Sequence, residues 1–293
     1  MELDRQFVRN VPELVADYGC HIGENPLWHP MEQRLYWIDI PTGRIFRYDP
    51  ASGNHEQCYT GEAIGGFTIQ TDGSLLLFMA RGAIRIWRNG ETKTLFDELP
   101  DDPTPRFNDV IADPIGRVFC GTMPTPERAG RLYRLDTNGA LVKLLDGIGL
   151  PNGMGFTLDY SHLYLADSFK RAIYIFDYEK MTGAISNQRT FVEIPDGEGS
   201  PDGLTVDAEG YVWSAQWNGA CLVRYAPDGT EERRITFPVR KISSLTFGGP
   251  DYRDMYVTTA GGANKLQDGD SAGGLFRLRL DIYGRPESLS SFT

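Results

Sequence analysis

Glu24, Asn108, Asn152 and Asp202 sit in four short segments of one design: ENPLWHPMEQRLYW, NDVIADPIGRVFC, NGMGFTLDYSHLYL and, starting at Ser200, SPDGLTVDAEGYVW. In each, an oxygen-bearing side chain precedes an alternating strand, a tight turn and a second strand. One such residue in isolation is best read as a turn residue bonding nearby backbone. Four at an equivalent position point elsewhere, because turn chemistry alone would accept Gly or Ser throughout. If the segments are arranged around an axis, the four side chains converge on it, and convergent oxygens suit a hard divalent cation. Glu24, Asn152 and Asp202 offer two charges and one neutral amide oxygen, a set for Ca²⁺, Mg²⁺ or Mn²⁺ before any thiolate-seeking metal. One divalent ion is therefore expected, with Zn²⁺ and Fe²⁺ left open as identities. Arg106, two residues before Asn108 in RFND, adds a fixed charge and five N–H donors suited to a polyoxygenated ligand. Asp109 is expected to point away from this group once the strand pleat begins.

The elements that must position these residues follow from the repeat. Two weaker copies, GGFTIQTDGSLLLF and SSLTFGGPDYRDMYV, bring the openings to 24, 66, 108, 152, 202 and 243, with steps of 42, 42, 44, 50 and 41 residues. A third strand follows in each unit (GRIFRYD, GAIRIWR, GRLYRLD, RAIYIFD, ACLVRYA, GGLFRLR), and most units add a polar fourth such as NHEQCYT. Four short strands per period of this length are the pattern of a propeller blade, and frequent Gly and Asp-Gly turns exclude a helical solenoid. The expectation is an all-β, six-bladed β-propeller with four-stranded antiparallel blades, residues 1–293 forming one domain. The last unit runs out of chain, so its fourth strand comes either from the tail ESLSSF or from ELVADYG near the N-terminus. The second option closes the ring and removes sheet edges, and is favoured. On this geometry the openings share a face with two long loops, 122–131 and 260–274, which are expected to rim the convergent oxygens.

Composition narrows the function classes. A net charge of -11 argues against nucleic acid and anionic membranes as partners. The opening residues MELDRQFVRNVPELV lack the apolar core of a signal peptide, and no run is long enough to span a bilayer, so a cytoplasmic protein is expected. Cys20, Cys58, Cys120 and Cys221 are scattered, with no CxxC pair, and read as small packed groups. Asp39 and Asp167 read as turn caps, and Trp28, Trp37, Trp213 and Trp217 as packing between blades. His21, His29, His55 and His162 have no metal-ligand spacing and read as surface residues. GxSxG, HExxH, Walker and dinucleotide motifs are absent, so serine nucleophile chemistry has no support.

GENPLW, RFND with GRVFCGTM, LPNGMGF, SPDGLTVDAEGYVW and AGGLFRL, in that order, resemble the senescence marker protein, gluconolactonase and luciferin-regenerating enzyme (regucalcin-like) family over nearly the whole chain. The resemblance implies a propeller with one divalent ion near its axis and hydrolysis of sugar lactones. Carried over position by position, it implies metal ligands at Glu24, Asn152 and Asp202 and substrate contacts at Arg106 and Asn108. A substrate-contacting Glu of some members falls at Pro126 here, with Glu127 adjacent and able to serve only if the loop shifts. The expected function is metal-dependent hydrolysis of an aldonolactone to the sugar acid, the cation acting as Lewis acid and Asp202 as general base. The alternatives are a metal-dependent esterase or phosphotriesterase-like hydrolase, and a non-catalytic Ca²⁺-binding regulatory protein. The expected partner is a small sugar lactone, and the assembly a monomer or small homo-oligomer.

Overall fold

The computed structural model describes residues 11–99 and 105–292. The first ten residues, read above for a leader, lie outside that range. Among the described residues, twenty-four strands form six four-stranded antiparallel sheets, the blades of a six-bladed propeller. Blades I to VI begin with the inner strands Gly23–His29, Ile64–Ile69, Phe107–Ala112, Pro151–Phe156, Ser200–Val206 and Lys241–Gly248. Each inner strand packs against those of the two neighbouring blades, and the sixth packs back on the first. Helix is confined to Lys265–Asp268 and two 3₁₀ turns among the described residues.

Hydrophobic patterning sets the radial order within a blade. Inner and second strands such as IGGFTI and LLLFM are buried along their whole length, whereas the outermost strand NHEQCYT is exposed over most of its length. Apolar clusters fill all six gaps between adjacent blades, so the core is distributed around the ring. Trp28 stacks on Tyr256 across the I/VI gap and Trp213 meets Phe247 edge-on across the V/VI gap. Trp37 fills the I/VI gap with Phe46 and Leu275. Trp217 departs from expectation: it is only partly buried and lies at the site described below.

Ring closure follows the second option. Glu13–Asp17 pairs antiparallel with Gly274–Arg279 and supplies the outermost strand of blade VI. The tail instead crosses the axis on the far face. Arg285 donates to the carbonyls of Phe156 and Thr157, Thr205 donates to Glu287 (2.9 Å), and Ser290 N donates to Ile69 O (2.9 Å). All four cysteines are free, three of them buried. His29 is not a surface residue: it is buried, with its ring nitrogens on Gly73 O and Glu32 N, because the turn of blade I folds onto blade II.

Candidate active site

Every inner strand changes register against its second strand at the opening position: between Glu24 and Leu27, Ile64 and Gly66, Phe107 and Val110, Pro151 and Met154, Pro201 and Leu204, Ile242 and Ser244. A bulge of this kind re-aims side chains that a regular pleat would alternate between faces. The glycines after Asn152 and Asp202 have a related cause. A Cβ on Gly153 would lie 2.3 Å from Leu204 N, and one on Gly203 would lie 2.1 Å from Ser244 Oγ, so the inner strands approach too closely for any other residue. The Asn-Gly and Asp-Gly pairs of the sequence are thus steric requirements of the axis.

Glu24, Arg106, Asn108, Asn152 and Asp202, drawn from blades I, III, IV and V, line one cleft of about 290 Å³ at this end of the axis. Ser168, Ser200, Met123, Leu150, Phe169 and Trp217 complete most of its wall. The convergence holds despite burial: Glu24, Asn152 and Asp202 are each 6% exposed. Their orientations are specified by hydrogen bonds. Glu24 Oε2 accepts from Asn25 N (2.7 Å), and Asn152 Nδ2 donates to Ser168 Oγ (3.0 Å), which leaves the amide Oδ1 for an incoming group. Asn108 Nδ2 donates to Pro151 O (2.9 Å), while Arg106 Nη1 donates to Asn108 Oδ1 (2.9 Å) and Phe107 O (2.9 Å).

The electrostatics are those of crowded anions. Burial pushes the Glu24 carboxyl well above the usual range, and the Asp202 and Asp109 charges push it further, against the Asn25 N–H and Arg106. Burial likewise raises Asp202, with Asp109 adding to it and an Asn152 hydrogen bond and Arg106 opposing. One guanidinium therefore does not compensate the carboxylates around it. Two carboxylates and an amide oxygen, buried together and short of positive charge, fit a hard divalent cation.

Asp109 was expected to face away, and it does leave the cleft. It does not leave the site's field, because the bulge carries it into a second cavity of about 40 Å³ below the cleft, where Glu287 of the tail also sits. Burial, with the Glu287 charge, lifts Asp109 to about 6, against the Val110 N–H. No feature of the isolated sequence indicates this role, since the bulge depends on the neighbouring strand.

The loops are less involved than their lengths suggested. Of segment 122–131 only Met123 lines the cleft, and Glu127 is exposed and outside the lining. Segment 260–274 contributes nothing to the lining; Lys241 and Arg240 N hold Asp268, and Gly262 N bonds Cys20 O, so the loop is tied down beside the cleft. Asp39 and Asp167 accept from their own turns, from the Thr42 hydroxyl and Lys170 N, but they also tie those turns to the segments entering the inner strands, through Ile22 N and through Gly149 N and Leu150 N. Ser168, which bridges Asn152 to blade V, was missed. A serine after a strand-ending Asp gives no signal of its own.

The chain resembles known proteins over most of its length. A pentonolactonase, XacC, of Haloferax volcanii is 49% identical over 93% of this chain and 96% of its own. Regucalcin of Xenopus laevis is 34% identical over 85% of this chain and 86% of its own. A solved luciferin-regenerating enzyme superposes with a TM-score of 0.87 at 26% identity, covering 96% of this chain and 99% of its own. The family model described as SMP-30/Gluconolactonase/LRE-like region matches residues 22–261, a span that opens just before Glu24 and closes after the second strand of blade VI. With the fold, the cleft and that match in agreement, the chain belongs to the SMP-30/gluconolactonase/LRE-like family.

Proposed function

We propose that this protein hydrolyses a sugar lactone to its sugar acid in the axial cleft, with Glu24, Asn152 and Asp202 holding one divalent cation. The observation that carries the proposal is the pairing of two buried carboxylates with an amide oxygen at the open end of the axis, beside a single arginine. The pentonolactonase among its relatives supports the substrate class. A bound divalent cation supplies Lewis-acid polarisation of the lactone carbonyl, a contribution worth several kcal/mol.

The protein's own groups do the rest. Asp202 accepts the proton of the water whose oxygen attacks the carbonyl carbon. The ring C–O bond then breaks, and that proton passes from Asp202 to the departing ring oxygen, so the carboxylate is regenerated. Arg106 and Asn108, locked to each other by the Nη1–Oδ1 hydrogen bond, bind the sugar hydroxyls and fix the ring's approach. Leu150, Met123, Phe169 and Trp217 give the cleft its apolar wall.

The test is a panel of aldonolactones, simple esters and organophosphates, assayed with Ca²⁺, Mg²⁺, Mn²⁺, Zn²⁺ or Fe²⁺ and after chelation. Lactone turnover should vanish with EDTA and return with an added ion. Chelator-resistant hydrolysis would overturn the cation's role. A cation-dependent melting shift with no product from any lactone would identify a binding protein.

A further inference from the structure

Three side chains at this end of the axis bond the backbone of the inner strand that follows. Asn108 of blade III donates to Pro151 O (2.9 Å), Ser168 of blade IV to Pro201 O (2.7 Å), and Ser243 of blade VI to Gly23 O. The three accepting carbonyls belong to the residues immediately before Asn152, Asp202 and Glu24. A carbonyl and the following N–Cα bond share one rigid peptide plane. Holding that carbonyl therefore fixes the plane from which the next residue's side chain departs. The hold is needed here because each of these residues stands at the edge of a bulge, where the ladder to the second strand is interrupted.

We propose that Ser168 and Ser243 are positioning residues for the cation ligands, each registering one ligand-bearing strand against the blade before it; this rests on the ligand set assigned above. Ser168 acts twice. Its single proton goes to Pro201 O, an acceptor only, so its oxygen meets Asn152 with a lone pair and only the NH₂ end of the amide can face it (3.0 Å). The Asn152 Oδ1 is thereby turned away from Ser168. Ser243 is wholly buried at the opening position of blade VI, 3.1 Å from the Thr258 hydroxyl. A repeat that supplies no ligand itself thus positions the ligand of the next. Asn108 does the same for Asn152, and blade II, which opens on glycine, receives the link instead, Phe67 N donating to Asn25 Oδ1.

The experiment compares Ser168→Ala, Ser243→Ala and Ser168→Thr with the parent protein, titrating Ca²⁺ and Mn²⁺ by calorimetry and melting each protein with and without the ion. Both alanine variants should bind the ion about 10–100-fold more weakly, the usual consequence of removing a group that orients a metal ligand. Their ion-loaded melting temperatures should fall more than their ion-free ones, and Ser168→Thr, which keeps the hydroxyl, should recover most of the affinity. Alanine variants with affinities within about twofold of the parent, or equal losses in both melting temperatures, would overturn the positioning role while the ligand assignment stands. Glu24→Gln is the separating control: if the parent binds no ion, or Glu24→Gln binds as well as the parent, the ligand assignment fails and the positioning role with it.

Discussion

The two ends of the propeller axis are built from the same six strands and differ in what closes them. At one end the bulged openings present Glu24, Asn152 and Asp202 to a cleft of about 290 Å³. At the other the tail runs across the strand ends, and Glu287 and Asp109 are among the residues lining a space of about 40 Å³. Both ends contain carboxylates that burial pushes upward. The first has the larger volume and lines it with Arg106 and the amides of Asn108 and Asn152. A charged group in an apolar setting becomes chemically useful when a partner can arrive, and the wider cleft at the first end leaves room for one.

The largest expected difference between the ends is catalytic. Asp202→Asn should lower kcat on an aldonolactone by about 10²–10⁴, the range for loss of a general base. Asp109→Asn, one layer below, should stay within about tenfold of the parent, and steady-state kinetics on the two variants compare the layers directly. A mild Asp202→Asn would remove that residue as base. A severe Asp109→Asn would extend the reacting site into the lower cavity.

A stability effect comes next. Arg285→Ala removes charged donors from the Phe156 and Thr157 carbonyls and should destabilise the protein by about 1.5–3 kcal/mol in chemical denaturation, with lactone KM little changed. A large change in KM would mean that the tail shapes the cleft as well as bracing the far end.

A pH effect of smaller size separates the ends in another way. In the unfolded chain Asp109 titrates near 3.8, and in the folded protein near 6. Between those values the folded state holds a proton that the unfolded chain has released, so this group's stabilisation is complete below about 3.8 and is lost as pH rises through about 6. Glu24, Asp202 and Glu287 shift in the same direction. The melting temperature of ion-free protein should therefore fall as pH rises over this window, and Asp109→Asn should flatten the decline. Saturating divalent ion should flatten it too, by stabilising the ionised form of the upper pair. Last and smallest, Glu127→Ala should leave kcat/KM within about twofold, because Glu127 is exposed beyond the cleft lining.

Much of this was legible in the chain as written. The spacing of the openings gave six blades, the polar run NHEQCYT marked a fourth strand, and the missing strand of blade VI pointed to ELVADYG. The oxygen residues of the cleft were legible because they recur at one repeat position, and a repeat converts positions distant in sequence into neighbours in space. What failed was whatever depended on contacts between blades. His29 became buried because blade II covers it, Trp217 lost its place in the core because it stands at the cleft, and segment 260–274 was tied aside by Lys241 and Cys20.

The sequence by itself determined the number of blades, their strand order and the identity of the residues facing the axis, since period-2 patterning and turn chemistry act within a few residues. Tertiary structure alone decided that Asp109 lies under the cleft, that the tail bonds to the strand ends of the far face, and that Ser168 and Ser243 bond the strands carrying Asp202 and Glu24. Each of those outcomes is a hydrogen bond or a close approach between segments with no local relation, and its strength depends on how tightly the inner strands meet at the axis.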